Sequence, residues 1–474
     1  MKTPSKLSRA FKLRHLEIEP SDEKITDAVG LGILLERFDE SPLSKEFAKC
    51  LPERSSPRSL GSYRLALTQM ASFIYGHDCL DDLVELREDP YLETMMREET
   101  AAPRTMGDFL RDFEEDHIES LNRFMPFMAK TLRAHLSEAL PEEYRPGPLV
   151  IDLDSTDHIQ SGQKMEGVAW NYKGHWGLDS QVAYDDYGLC YGMQLRPGNT
   201  KSGVEAEKLI ENIFSGMSFR EEKHFRGDSA YLEQDVLRAC LRFGVTFTIA
   251  AHDGYTGWKE NRHEIVKWTP WEYTKAQIEK ALKKGYKLSQ IELGYYYWQP
   301  GWAPNLRFPL IVKRTWCEGM PPEKTNGQQR LPIDAASGGY WEYYAIVTNH
   351  SLYNHSLQHV FEFYQKRGNA ERFIREEKYG YDLKNFPCLK LMANHAFGLL
   401  AMAAHNLLRW AAIVEKPNKP NFAKKLRRRL IHVPGKLLTG QNQPRLKVPK
   451  AFYEEVKRFI QALTALPIPS LAPG

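Results

Sequence analysis

The segment Leu149-Val150-Ile151-Asp152-Leu153-Asp154 decides the expected fold. It is a short apolar run directly after Pro148, which is typical of a buried β-strand. Side chains alternate along a strand, so Asp152 and Asp154 point to the same face. A carboxylate at the end of a central strand lies at the edge of an α/β sheet where ligands usually bind.

The chain after this strand alternates between strand and helix patterns. Residues 181–195 resemble a hairpin with its turn at 185–188, and residues 206–213 follow a helical period. A second short strand ends near Asp228, and a third covers residues 245–250. Strands, a hairpin and then alternating helices and strands predict an α/β layer architecture.

The segments on either side of this core differ in character. Residues 21–140 carry apolar residues at steps of three and four and predict helices. Residues 252–340 are rich in aromatic β-formers and predict a β-rich insertion with one helix near 275–284. A strand at 343–348 and a helix over 356–378 follow.

Composition sets limits on the class of protein. Hydrophobic residues make up 42% of the 474 residues and charged residues 26%, which is globular rather than disordered. A net charge of +3 does not by itself indicate a nucleic-acid-binding protein. The six cysteines include no CxxC pair, so neither a cysteine zinc site nor a disulfide framework is expected.

Two features bear on location. The N-terminus lacks the apolar stretch of a signal peptide. The most apolar region, residues 389–414, is interrupted by polar and charged residues, which favours a buried helix over a membrane span. We expect a cytoplasmic protein with no membrane association.

Candidate catalytic residues lie at two strand ends. Asp154 is followed by Ser155-Thr156, and Asp228 lies in Arg226-Gly227-Asp228, where Gly227 permits a tight turn. Each has an ordinary alternative, because Asp154 could cap a loop and Asp228 could cap the next helix. Either residue alone is weak support for a catalytic site.

The third element is a stripe on a predicted helix. Tyr364, Arg367, Glu371 and Lys378 follow one another at steps of three, four and seven, which places them on one face. The alternative is a solvated face with ion pairs. Gly368 within the stripe weakens the helix by about 1 kcal/mol and predicts a local kink.

Three carboxylates on two strand ends and a helix are suited to divalent cations. Carboxylate oxygens are hard ligands that favour Mg²⁺ or Mn²⁺. Two such ions about 3.5–4 Å apart clamp the attacking and leaving oxygens of a phosphodiester. The basic members of the stripe would then bind phosphates beside the cut.

These motifs, with the segments Leu80–Asp89 and Leu195–Thr200, resemble bacterial insertion-sequence transposases of the DDE type. The nearest resemblance is to the IS-thirteen-eighty branch, related to the IS-four supergroup. It implies an RNase H-like core, two Mg²⁺ ions per site with Mn²⁺ able to substitute, and cleavage of transposon ends with strand transfer into target DNA. The resemblance assigns the metal-binding, catalytic carboxylates to Asp154, Asp228 and Glu371. It assigns DNA contacts to Tyr364, Arg367 and Lys378, and base stacking to Trp298 and Trp302.

The resemblance also implies an organisation and partners. The expected units are a helical N-terminal DNA-binding domain (1–145), the RNase H-like core in two parts (146–250 and 341–415), the β-rich insertion (251–340) and a basic C-terminal segment (416–474). Double-stranded DNA, as terminal inverted repeats and target, is the expected partner, bound by a homodimer in a synaptic complex. In a bacterium the cytoplasmic protein would associate with the nucleoid when bound to DNA.

Two other functions remain open on the sequence. One is an RNase H-like DNA nuclease without strand transfer, and the other is a transposase-derived DNA-binding protein without catalysis. The converging acidic residues argue against the second. A basic run predicts a DNA-backbone contact, with a solvated helix face as the alternative. Its members are Lys424, Lys425, Arg427, Arg428 and Arg429.

Overall fold

The computed structural model describes residues 19–54, 60–96, 100–319, 338–439 and 444–471. Thirteen strands lie in these ranges. They are β1 (Ile25–Thr26), β2 (Leu149–Ile159), β3 (Ala169–Trp170), β4 (Trp176–Asp185), β5 (Cys190–Pro197), β6 (Lys223–Gly227), β7 (Thr246–Ala250), β8 (Thr269–Pro270), β9 (Ile291–Trp298), β10 (Phe308–Glu318), β11 (Gly339–Thr348), β12 (Gly435–Leu438) and β13 (Arg445–Lys447).

The α-helices of the described ranges fall mainly before β2 and after β11. They are α1 (Val29–Asp39), α2 (Pro42–Ala48), α3 (Ser62–Tyr75), α4 (Leu83–Glu88), α5 (Pro90–Met96), α6 (Pro103–Arg111), α7 (Glu115–Ala139), α8 (Ala206–Phe214), α9 (Gln234–Arg242), α10 (Asp253–Thr256), α11 (Trp258–Asn261), α12 (Lys275–Lys284), α13 (Leu357–Gln365), α14 (Ala370–Gly380), α15 (Leu391–Glu415), α16 (Ala423–Leu426) and α17 (Lys450–Thr464). The predicted helical N-terminal region and the α/β class are both confirmed.

One ten-stranded sheet forms the centre of the molecule. Its order is β3-β4-β2-β6-β7-β11-β10-β9-β8, and β5 also pairs with β4. Strand β6 runs parallel to β2 and to β7, whereas the other pairings are antiparallel. The predicted hairpin is therefore β4–β5, and the predicted alternation of helix and strand is confirmed by α8, β6, α9 and β7.

Strand β2 is longer than predicted. We expected it to end at Asp154, but it continues to Ile159. Parallel pairing with β6 ends at Leu153, while antiparallel pairing with β4 continues from Asp154–Val182 to Ile159–Gly177. Asp154 thus marks the end of one pairing rather than the end of the strand.

The aromatic-rich segment adds strands to the same sheet. β11 pairs with β7 on one side and with β10 on the other, and β9 and β8 follow at the edge. Helix α12 covers Lys275–Lys284, as predicted. The β-rich character of this segment is confirmed, while the domain boundaries stay predictions.

Helix α15 lies at the centre of the packing. Its 25 residues are long and apolar enough to cross a membrane by composition, but 89% of its most apolar window is buried within the protein. It packs against β5 on one side and against α3 and α7 on the other. The sequence-based interpretation of residues 389–414 as a buried helix is confirmed.

Polar side chains of α15 bind the edge of β5. Asn406 accepts a hydrogen bond from the Cys190 amide (2.7 Å) and donates one to the Cys190 carbonyl (2.8 Å). The pairing of β4 with β5 is irregular next to Cys190. The amide side chain of Asn406 thus takes the place of a neighbouring strand, and both backbone groups are satisfied in a buried position.

Replacing Asn406 by Leu is expected to lower the free energy of unfolding by about 2–4 kcal/mol, because both Cys190 groups would lose their partners while buried. Chemical denaturation followed by circular dichroism measures this. The matched control is Asn385→Leu, on the exposed surface, which should change stability by less than about 0.5 kcal/mol. Equal effects of the two substitutions would contradict this role of Asn406.

Candidate active site

The pairing of β2 with β6 positions the two aspartates. Asp152 is directly opposite Arg226 in the parallel register. The two side chains form a buried ion pair, with Arg226 Nε 2.6 Å and Nη2 2.8 Å from the carboxylate oxygens. Because faces alternate along both strands, Asp154 and Asp228 follow two residues later on the same face. Asp152 thus serves to join β2 to β6, and Asp154 is the carboxylate that remains available to bind a ligand.

Asp154 lies between a cation and a second carboxylate. Its Oδ2 accepts a hydrogen bond from Arg367 Nη1 (3.1 Å), and its Oδ1 accepts one from the Ser155 amide (2.9 Å). Burial raises the pKa of Asp154, Arg367 lowers it and Asp228 raises it again, with a net increase. Two carboxylates thus lie close together in a partly buried place, and a nearby cation such as Arg367 is needed to stabilise their ionised forms.

Asp228 has both roles that the sequence left open. Its Oδ1 accepts a hydrogen bond from the Ala230 amide (2.9 Å) and caps the 3₁₀ turn at Ser229–Tyr231. It is also close enough to Asp154 to raise the pKa of that residue. Gly227 is needed for this turn, because a Cβ there would lie 2.9 Å from Tyr231 Cβ.

The predicted stripe is interrupted where Gly368 indicated a kink. Helix α13 ends at Gln365, a 3₁₀ segment covers Lys366–Asn369, and α14 begins at Ala370. Arg367 reaches Asp154 from the 3₁₀ segment. Lys378, on α14, donates a hydrogen bond to the Asp157 carbonyl on β2 (2.6 Å). Two basic residues of the stripe therefore hold this region against β2.

The other two members of the stripe have different surroundings. Tyr364 is buried, and its hydroxyl shares a hydrogen bond with that of Tyr344 (2.8 Å). The same hydroxyl interacts with the Arg367 side chain, and the phosphate contact expected of Tyr364 stays a prediction. Glu371 is exposed. It lies seven residues before Lys378, so both side chains are on the same face of α14.

The structure brings together Asp154 and Asp228 but not Glu371. Within the described ranges, the carboxylate oxygens of Asp154, Asp228 and Glu371 do not all lie within 4.8 Å of one another. In those same ranges the one set of three ligand atoms within 4.8 Å of one another belongs to Asp78, Cys79 and Asp82. There Asp82 accepts from the amides of Asp78 and Cys79 in the turn before α4, which accounts for that cluster without an ion.

Comparison with known families identifies the chain. A family model described as a transposase DDE domain matches residues 145–407, and a second, transposase DDE domain group 1, matches residues 9–256. Each match spans more than half of the chain. The chain belongs to the DDE transposases. No curated protein matches it.

Membership of the family has direct consequences. The transposase is an enzyme, and DNA is its partner. DDE transposase domains generally use divalent metal ions. The donor set fits such an ion, because Asp154 and Asp228 present carboxylate oxygens, the ligands that hard divalent cations prefer.

The transposase has a charged cluster beside this site that the sequence did not indicate. Asp157 on β2 contacts Lys173 (2.8 Å) and His175 (2.5 Å), and Lys378 Nζ is 3.8 Å from its carboxylate. Burial alone would raise the pKa of Asp157, but the bonds with Lys173 and His175 outweigh it and lower the pKa. Asp157 was visible only as a polar neighbour of Asp154, because its partners are distant in the chain.

The basic run separates into buried and exposed residues. The guanidinium of Arg427 is buried and donates to the carbonyls of Ile74, Phe73 and Gly380. In this conformation Arg427 caps the carboxyl end of α3, and its contact with DNA stays a prediction. Arg429 pairs with Glu415 and Glu455. The exposed residues of the run are Lys424, Lys425 and Arg428.

The two tryptophans proposed for base stacking also differ. Trp298 is 6% exposed and packs against Phe308 and Tyr255, so its ring is not available to a base in this conformation. Trp302 is half-buried, donates to the Tyr255 hydroxyl (3.0 Å) and lies under the Arg238 guanidinium. Of the two, only Trp302 is partly exposed.

Replacing Arg226 by Met is expected to lower the free energy of unfolding by about 3–5 kcal/mol, because Asp152 would remain buried without its partner. Burial raises the pKa of Asp152 to about 6, against the lowering effect of Arg226. Without Arg226 the folded-state pKa rises further above the unfolded value. The folded state then binds more protons, and stability falls as pH rises. Denaturation curves should show the largest deficit near pH 8 and a smaller one near pH 5.

The control for this prediction is the double variant Asp152→Asn/Arg226→Met, which removes both charges and should regain most of the stability at pH 8. Arg242→Met removes an exposed partner of Glu211 and should cost less than about 1 kcal/mol. A pH-independent deficit in Arg226→Met would show that Asp152 does not carry the effect.

Proposed function

We propose that this transposase cleaves DNA at the ends of a mobile element and transfers the resulting 3′ ends to a target. The observation that carries the proposal is the juxtaposition of Asp154 and Asp228 directly after the last parallel pair of β2 and β6, facing Arg367. The strand arrangement supports an RNase H-like core. Strands β2, β4 and β5 form an antiparallel set, and β6 and β7 continue parallel to β2 on its other side.

We assign Asp154, Asp228 and Glu371 as the ligands of two Mg²⁺ ions, with Mn²⁺ as a substitute. Such ions, when bound, activate the attacking oxygen and stabilise the departing 3′-oxygen. The exposed side chain of Glu371 has the rotational freedom to turn toward β2. Arg367, now paired with Asp154, would bind a phosphate beside the cleaved bond through its planar group of N–H donors.

DNA contacts outside this site are assigned to the exposed members of the basic run, Lys424, Lys425 and Arg428, and to the partly exposed ring of Trp302. We further propose that the enzyme acts as a homodimer on paired terminal inverted repeats and is cytoplasmic. A homodimer would cut both ends of the element together. The sequence resemblance to the IS-thirteen-eighty branch supports these points.

Replacing Asp228 by Asn is expected to abolish cleavage of end-containing DNA, at least about 10³-fold, with DNA affinity and folding retained. Asn can still cap the turn through Ala230 but lacks the charge that a divalent cation needs. The measurement uses purified protein, labelled DNA carrying the flanks of the element, and Mg²⁺ or Mn²⁺. Asp108→Asn, an exposed partner of Arg111, is the matched control.

The same assay separates the alternatives. Labelled ends joined to a target plasmid would establish strand transfer, whereas cutting without joining would favour a nuclease. Binding without cutting by the intact protein, in either metal, would favour a DNA-binding protein. Full cleavage by Asp228→Asn would exclude the assigned site.

Neutralising Lys424, Lys425 and Arg428 together to Gln should weaken binding to all DNA sequences alike and reduce the slope of log affinity against log salt by up to about 2.7, since each phosphate contact contributes about 0.9. Fluorescence anisotropy across a salt titration measures this. Arg429→Gln is the control, because Arg429 already pairs with Glu415 and Glu455. An unchanged slope in the triple variant would assign the run to a solvated surface.

A further inference from the structure

Four histidines lie in a row on the active-site face of the sheet, at the opposite end of β6 from Asp228. They are His224 on β6, His350 after β11, His355 before α13 and His359 within α13. Neighbouring ring centroids are 5.4 Å apart for His224–His350, 5.2 Å for His350–His355 and 5.1 Å for His355–His359. Sequence analysis gave none of them a role.

Two of these rings carry a buried nitrogen without a partner. His224 Nδ1 and His350 Nε2 make no hydrogen bond in the described part of the chain, and both residues are only 7% exposed. A buried polar atom without a partner is costly and calls for an explanation. The His350 ring contacts both the His224 ring and the His355 ring, so its nitrogen without a partner belongs to an inner member of the row.

His224 also has the arrangement of an oriented metal ligand. Its Nε2 lies 3.0 Å from a carboxylate oxygen of Glu222, which leaves Nδ1 as the nitrogen that faces the protein interior. Histidines that bind metals commonly donate their second ring nitrogen to a carboxylate, which fixes the tautomer and the ring orientation.

The row is reachable from solvent. His355 and His359 line a cavity of about 570 Å³, together with Glu362 and other residues. His355 is half-buried and His359 is exposed, so both side chains can turn. His355 and His359 thus separate the cavity from the buried rings of His224 and His350, and an ion would reach those rings when the two side chains turn.

We propose that His224, His350, His355 and His359 form a binding site for a borderline-soft divalent cation such as Zn²⁺, with His350 and His355 as the central ligands. Imidazole nitrogens suit zinc, copper and nickel rather than magnesium. With Zn–N distances of about 2.0–2.1 Å, tetrahedral imidazoles hold every pair of ring centroids about 5 Å apart. The three neighbouring pairs have this spacing here, but the His224–His350 and His355–His359 rings are stacked, with interplanar angles of 16° and 15°. The nitrogens do not yet converge, so binding requires rotation of His355 and His359.

The site differs from the carboxylate site in ligands and position, and it does not depend on the proposed function. It would join β6, the end of β11 and the start of α13. Phe363 of α13 packs against His224 and His350, and its carbonyl accepts a hydrogen bond from Arg226 (2.6 Å). A bound cation would therefore fix α13, whose continuation carries Arg367.

The test is zinc binding by the full chain in an Asp154→Asn/Asp228→Asn/Cys79→Ser background, which removes the two active-site carboxylates and the thiol of the Asp78, Cys79 and Asp82 cluster. Competition with a chromogenic chelator gives the affinity, and Co²⁺ gives a visible spectrum that reports four-coordinate nitrogen ligation. We expect one tight equivalent that excess Mg²⁺ does not displace, and a raised melting temperature on binding.

His350→Gln and His355→Gln should each weaken zinc binding by at least about tenfold, and Glu222→Gln by about tenfold through loss of ring orientation. His355 and Glu222 are accessible enough that these variants should fold, which a melting curve without metal checks. His263→Gln, on an exposed histidine, is the matched control. Zinc affinity unchanged in His355→Gln, or a Co²⁺ spectrum of six-coordinate oxygen ligation, would overturn the proposal.

Discussion

The ion pair between Asp152 and Arg226 is the interaction on which the site depends. It joins the two central parallel strands, β2 and β6, at one position of their register. A slip of one residue would turn every side chain of β6 to the other face of the sheet. A slip of two would keep the face but move Asp228 by about 6.6 Å along β2, because a strand rises about 3.3 Å per residue. Burying the charges of Asp152 and Arg226 is costly unless the two groups pair in good geometry. Any other register of β2 and β6 would separate them and so be less stable. The pair thereby sets the distance between Asp154 and Asp228.

The segment from Arg367 to Lys378 is attached to β2 at both of its ends. Arg367 is fixed on Asp154 and Lys378 on Asp157, eleven residues further along the chain. The 3₁₀ segment at Lys366–Asn369 lets both basic side chains reach the same strand although they lie on different helical elements. Glu371 lies between them with its side chain in solvent. Glu371, the third carboxylate of the proposed set, is thus not held in position by other residues. Fixing its side chain would cost conformational entropy, which ligand binding would have to offset.

The sequence predicted those elements whose conformation depends on residues close together in the chain. The apolar run of β2, the hairpin at β4–β5, the period of α12 and the buried helix α15 were visible in the sequence, as was the kink at Gly368. What the sequence left out depends on distant residues. In the sequence Arg427 cannot be distinguished from the other basic residues around it. Only in the fold does it pack against the end of α3 and cap that helix. Asp157 looked ordinary because Lys173, His175 and Lys378 reach it only in the fold. Strand β2 outlasts its apolar run because β4, which comes later in the chain, continues to pair with it.

Electrostatics explains why an arginine should occupy the centre of the site. Asp154 and Asp228 repel each other, and the Arg367 guanidinium offsets this repulsion. Cations bound to the carboxylates under the proposed function would take over that task and release Arg367. Its charge persists whatever the local field, and its fixed fork of donors matches a phosphate as well as a carboxylate. A lysine at position 367 would serve less well, because its pKa shifts when it is buried and its single ammonium group cannot form two parallel hydrogen bonds to a carboxylate or phosphate. The same residue can therefore offset the repulsion between the two carboxylates and also bind a phosphate.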